Sequence, residues 1–139
     1  MSVLLDTGIV YAYYDRRDAW HGRARTLIET EQRGLILPAA VIPEVDWLLG
    51  QRLGARSRLT FYEGMAGGYY LVADLPRAAY ARVAELNRRF DDLDLGFVDA
   101  SIVALAEALG LSRIATTDRR HFDPLAAALS LELLPGVRS

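Results

Sequence analysis

DLGFVDASIVALAEALGLSRIATTDRRHF, residues Asp94 to Phe122, holds two carboxylates apart with an apolar scaffold. Val98, Ile102, Leu105 and Leu109 recur at helical spacing and predict a helix over residues 95–109 with those side chains facing the core. Gly110 stops that helix. Residues 113–116, centred on Ile114 and Ala115, read as a short buried strand that Thr116-Thr117-Asp118 breaks. Asp99 borders the apolar stripe near the helix start, and Asp118 stands just past the strand. A carboxylate so placed either caps a helix or points into a site. Two acids alone do not hold a metal ion, so the purpose of the stretch depends on what other segments bring to it.

Working outward, Val3-Leu4-Leu5 is a short apolar run ending in Asp6-Thr7-Gly8, followed by a helical segment from Ile9. Asp18 caps a helix over residues 19–32, with Trp20, Ala24, Leu27 and Ile28 on one face, and residues 35–37 form a second strand. In a helix over residues 39–52, Pro43 fits only the first turn, which places Glu44 near the N-terminal end. Val41, Val45, Leu48 and Leu49 make its buried stripe, with Glu44 at the edge and Asp46 on the opposite, surface side. A shorter helix between Gly54 and Gly68 carries Leu59, Tyr62 and Met65 on one side. Residues 69–73 are a third strand, and a helix over residues 76–90 presents Ala79, Val83, Leu86 and Phe90. Asp91, Asp92 and Asp94 form an acidic break. A helix over residues 122–129, an edge strand over 131–134 and a loose tail from Pro135 close the chain.

The order β-α-α-β-α-α-β-α-α-β-α-β implies an α/β fold, with a parallel sheet of four to five strands between two layers of helices. Its 139 residues fit one domain, without an internal repeat or a linker. A hydrophobic content of 52% supplies one packed core. No apolar run reaches the ~18–20 residues that cross a bilayer. Asp6 interrupts the opening run and no basic region precedes it, so no signal peptide is expected and a cytoplasmic location follows. The absence of cysteine excludes disulfides and thiolate chemistry. All 16 basic residues are arginine, and against 18 acids the net charge is −2. Contact with a polyanion must then be local, through clusters such as Arg16/Arg17, Arg23/Arg25, Arg56/Arg58 or Arg119/Arg120, each of which can equally be a solvated surface pair.

On such a sheet Asp6 and Asp118 both lie at carboxyl ends of strands, where open α/β sheets bind ligands. Glu44 follows the second strand and Asp99 precedes the fourth, so all four acids can meet at one edge. Each has a structural alternative: Asp6 can cap its helix, and Glu44 can stabilise a helix N-terminus by ~0.3–1 kcal/mol. Clustered carboxylates repel by several kcal/mol per pair at ~4–5 Å in an effective dielectric near 20, so they call for a cation. His21 is assigned to structure, because no second His or Cys stands at ligand spacing, and an all-oxygen set selects Mg2+ or Mn2+. Such ions act mainly on phosphates, activating water for attack on a phosphodiester.

LLDTGIVYAYYDRRDAWH, PEVDWLL, LGFVDASIVALAEALG and RIATTDRRHF together resemble a PIN domain, and most of all the VapC toxins of bacterial VapBC toxin–antitoxin pairs. The resemblance spans nearly the whole chain. It implies a Rossmann-like three-layer sandwich and a Mg2+-dependent endoribonuclease that cuts RNA by metal-activated water. Carried over residue by residue, it makes Asp6, Glu44, Asp99 and Asp118 the catalytic acids. Asp6 and Asp99 would be direct metal ligands; Glu44 and Asp118 would bind through water or complete a second ion. Thr116 would orient a carboxylate or a water, with Thr7 and Asp94 nearby; apart from the carry-over, the place of Arg119 and Arg120 just after Asp118 suits them to hold the RNA backbone beside the metal. The partners implied are a cognate VapB-type antitoxin, whose arginine would enter the site, and a second copy of the chain. Residues around Tyr11–Tyr14 and Trp47 are either contact surface for it or core. Two other classes compete: a receiver-like phosphotransfer module, which needs a lysine this chain lacks, and a binding module whose acids only cap helices.

Overall fold

The buried strands β1 (Val3–Leu5) and β2 (Leu35–Pro38) are continuous apolar runs, as expected of parallel strands covered on both faces. The computed structural model describes residues 2–136, so most of the expected C-terminal tail lies outside the described residues. Between and after these strands run α1 (Thr7–Tyr14), α2 (His21–Thr30), α3 (Ile42–Arg52) and α4 (Ala55–Ala66). Then come β3 (Leu71–Ala73), α5 (Tyr80–Arg89), α6 (Gly96–Leu109), β4 (Arg113–Ala115), α7 (Arg119–Leu129) and β5 (Glu132–Leu134). The five strands pair in parallel in the order β3-β2-β1-β4-β5, which gives the expected α/β/α sandwich. None of the described helices is long and apolar enough to cross a membrane.

The strand order positions the site. From β1 the chain builds outward through β2 and β3, then crosses back to lay β4 on the other side of β1. The switch point therefore lies between β1 and β4, whose carboxyl ends open the crevice where ligands bind in such sheets. The Asp6 amide donates to the Ala115 carbonyl at 2.9 Å and stitches the two strand ends together there.

Helix α6 is buried from Ala100 to Ala106 without interruption, so it is a helix apolar all round rather than one with a single stripe. Val98, Ile102 and Leu105 face the core as expected, but Leu109, at the far end, is substantially exposed. In α4 the residues grouped on one side divide, since Met65 packs on the core while the other two do not. Leu59 and Tyr62 are exposed, and Phe61 is the buried residue, packed edge-on against Tyr14 and Tyr70. The Tyr14 and Tyr70 hydroxyls lie 2.8 Å apart, which binds α1 to the β3 entrance. Asp46 is not free surface either: it takes Arg58 and Tyr62 of α4 as partners.

Candidate metal centre

Asp6 enters the crevice as the N-cap of α1. One carboxylate oxygen accepts from the Thr7 amide at 2.7 Å, and the other accepts from the Thr116 hydroxyl at 2.7 Å. The same hydroxyl accepts from the Asp118 amide at 2.9 Å, so Thr116 ties the ends of β1 and β4 together and fixes the turn that aims Asp118. Asp118 in turn caps α7, accepting from the His121 amide at 3.2 Å. α1 packs closely on this turn, since a Cβ added at Gly8 would stand 2.1 Å from the Thr117 hydroxyl. Glu44, exposed in the first turn of α3, is held by the Thr7 hydroxyl at 2.5 Å. Asp99 sits in the first turn of α6, whose start is clamped by Asn87: its amide oxygen accepts from the Gly96 amide at 3.0 Å, and its NH2 group donates to the Gly96 carbonyl at 3.2 Å.

Burial raises the carboxyls of Asp6 and Asp99, and the neighbouring acids add to the rise. Burial, opposed by the Thr116 and Thr7 hydrogen bonds and reinforced by the charges of Asp99 and Asp118, pushes the Asp6 carboxyl up to about 7. Asp99 is raised as well, by burial first, against a hydrogen bond from His121, and with the charges of Asp118 and Glu44 adding to the rise. Clustered, partly buried carboxylates at a sheet's switch point are what a divalent cation relieves.

Structure and sequence part on one residue. His121 Nδ1 lies 2.7 Å from Asp99 Oδ2 and 3.0 Å from Asp118 Oδ2, so the centre is not purely carboxylate. Asp99, Asp118 and His121 each offer a donor atom, and all three atoms fall within 4.8 Å of one another, a spread that one ion can bridge. The signal was present in Asp118-Arg-Arg-His121, three residues apart at a helix start, which places both side chains on one face. His21, by contrast, is structural as expected, with Nδ1 2.8 Å from the Ala12 carbonyl.

Other expected positions divide. Asp94 is exposed with a left-handed backbone, φ 51°, and ends a single 3-10 turn. Arg119 donates to the Pro135 carbonyl at 2.5 Å and lies 5.6 Å from the Trp20 ring centre, while Arg120 is exposed. Tyr11 is core, whereas Trp47 is 59% exposed, one turn beyond Glu44 on α3.

A parallel α/β/α sandwich with carboxylates gathered at its switch point defines the class of open α/β proteins that bind ligands in that crevice. Residues 3–127 match the PIN domain family, and the chain belongs to it. It is 29% identical over 123 residues to ribonuclease VapC26 of Mycobacterium tuberculosis, covering 88% of this chain and 91% of that one. Among solved structures it is similar to M. tuberculosis VapC20, a sarcin-ricin loop cleaving toxin, with a TM-score of 0.74 at 24% identity over 81% of this chain and 87% of that one. The DNA-bound VapBC of Salmonella typhimurium gives 0.71 at 16% identity over 96% of each chain, and so shares the fold.

Proposed function

We propose that this protein is a divalent-metal-dependent endoribonuclease and the toxin of a VapBC-type toxin–antitoxin pair. The observation that carries the reading is the convergence of Asp6, Asp99 and Asp118, with Glu44 near Asp99, at the switch point of a PIN domain, where burial first and the neighbouring charges second push the Asp6 carboxyl up. The kinship with ribonuclease VapC26 supports RNA as the substrate.

The donor set fits Mg2+ or Mn2+, whose oxygen-rich shells suit carboxylates and water. Bound there, such an ion supplies Lewis acidity that makes water nucleophilic at neutral pH and offsets charge on the phosphoryl oxygens. Asp6 and Asp99 would hold it directly, with Glu44 and Asp118 acting through water or at a second ion. The Thr116 hydroxyl fixes the Asp6 carboxylate, and Thr7 fixes Glu44. Exposed Arg120, two residues past Asp118, is free to meet the RNA backbone, whereas the guanidinium of Arg119 is already engaged.

An antitoxin would silence this centre by placing a guanidinium among the carboxylates, replacing the cation's charge with bidentate hydrogen bonds. The toxin–antitoxin and VapBC complexes among the structural neighbours support that partner, and Trp47 is exposed at the rim where it would lie; a second copy of the chain is proposed on the family resemblance. That Asp6 and Asp118 also cap helices favours a purely structural use of the acids, but a cap does not need its carboxylate buried among others. The receiver-like alternative fails on topology, since doubly wound receivers use the order 2-1-3-4-5.

The test is cleavage of single-stranded RNA by purified protein with Mg2+ or Mn2+. Asp6→Asn and Asp99→Asn are expected to abolish cleavage while circular dichroism shows an intact fold. Cleavage that persists in EDTA, or in both variants, would sink the proposal.

A further inference from the structure

We infer that His121 is a direct nitrogen ligand of the divalent ion at this centre, joining Asp99 in a mixed carboxylate–imidazole set beside Asp118 and shifting the site's preference from Mg2+ towards Mn2+. The inference rests on the metal-dependent nuclease reading and narrows its cofactor. Geometry is the first support. Neighbouring donors around an octahedral ion with bonds of about 2.1 Å stand about 3 Å apart. Nδ1 of His121 is 2.7 Å from Asp99 Oδ2 and 3.0 Å from Asp118 Oδ2, so the ring nitrogen stands from each carboxylate oxygen at the spacing of neighbouring donors, and donor atoms of all three residues lie within 4.8 Å of one another.

Rigidity is the second. The His121 amide donates to Asp118, and Phe122 next in the chain is fully buried, so the first turn of α7 fixes where the imidazole points. The side chains of His121 and Asp99 are 17% and 15% exposed, which sets this ring apart from a solvated surface histidine. A ring that only orients Asp99 would keep its hydrogen on Nδ1. As a ligand it carries that hydrogen on Nε2 and turns the Nδ1 lone pair to the ion. Imidazole is a good ligand for first-row transition ions and a poor one for Mg2+, which prefers oxygen and retains its waters, so the mixed set favours Mn2+.

Electron spin-echo modulation of the Mn2+-loaded protein reads nitrogen bonded to the ion, and the chain has only 2 histidines to supply an imidazole. Coupling to 14N is expected in the wild type, retained in His21→Ala and lost in His121→Ala. Calorimetric titration of His121→Ala is expected to weaken Mn2+ about tenfold and Mg2+ by less than about threefold. Bound Mn2+ without 14N coupling overturns the ligand role and leaves the nuclease reading standing. Equal losses of Mn2+ and Mg2+ overturn the selectivity, and no binding of either ion by the wild type overturns both inference and nuclease reading. Should His121→Ala fail to fold, wild type and His21→Ala still decide, because coupling in the latter can come only from the imidazole of His121.

Discussion

The hydroxyl of Thr116 donates to Asp6 and accepts from Asp118, so one buried side chain sets two of the four acids. Its partner Asp6 makes the metal-free centre measurable. A carboxyl whose pKa rises from 3.8 to about 7 on folding keeps a proton that the unfolded chain has released between those values. The folded state then binds more protons, so Asp6 costs stability progressively as pH rises from about 4 to 7, and nothing further above that. At about 1.4 kcal/mol per unit the shift in Asp6 corresponds to a few kcal/mol. Asp6→Asn removes the titration. Its stability relative to wild type in EDTA should climb by that amount between pH 4.5 and 7.5 and then level off, as read by urea denaturation. An unchanged difference across that range would contradict a raised Asp6 carboxyl. Saturating Mn2+ should flatten the wild-type curve, since a cation holds the carboxylate ionised at little cost.

At the scale of elements, α6 shows what apolar periodicity can and cannot convey. The helix itself was legible from Val98, Ile102 and Leu105, but a stripe does not reveal that its reverse side is covered too, since Ala and Ser there suit a close-packed helix as well as an exposed one. The same limit holds in α4: Leu59, Tyr62 and Met65 make a stripe, but only Met65 of them packs on the core, beside Phe61, which the tyrosines of α1 and of the β3 entrance enclose. Phe61→Ala should therefore cost about 3–5 kcal/mol. Leu59→Ala should stay within about 0.5 kcal/mol. Equal costs in thermal melts would reverse the assignment of the buried face. Asn87 was invisible to pattern reading because its partners are backbone atoms, the Val83 carbonyl four residues back and the Gly96 amide and carbonyl nine residues on. Asn87→Ala leaves the start of α6 without its clamp and should cost about 1–2 kcal/mol. It should also lower RNA cleavage with little change in RNA affinity, since Asp99 would be displaced while the binding surface is intact.

For the whole molecule, the order of elements was readable because each short apolar run ends at a polar break, and parallel connection then brings Asp6 and Asp118 to one edge without knowledge of any contact. The order of strands in space was not readable. The return from β3 to the far side of β1 depends on which helices cover which face, and it is this return that puts the acids in a crevice. Charge at this scale constrains RNA binding. With a net charge of −2, the surface as a whole does not attract a polyanion, so affinity must come from a few arginines near the centre and from the ion itself. Each phosphate neutralised on a single strand contributes about −0.7 to the slope of log affinity against log salt. The Asp99→Asn protein, which should bind without cutting, is expected to give a shallow slope of roughly −1 to −3 with single-stranded RNA in EDTA. Adding Arg120→Ala should make that slope shallower by about 0.7, the loss of one phosphate contact. Adding Arg119→Ala instead should leave the slope unchanged and lower the melting temperature, because its guanidinium holds the Pro135 carbonyl and packs near Trp20. Fluorescence anisotropy over 25–200 mM salt separates the two arginines, and a slope change confined to Arg119→Ala would reverse their roles.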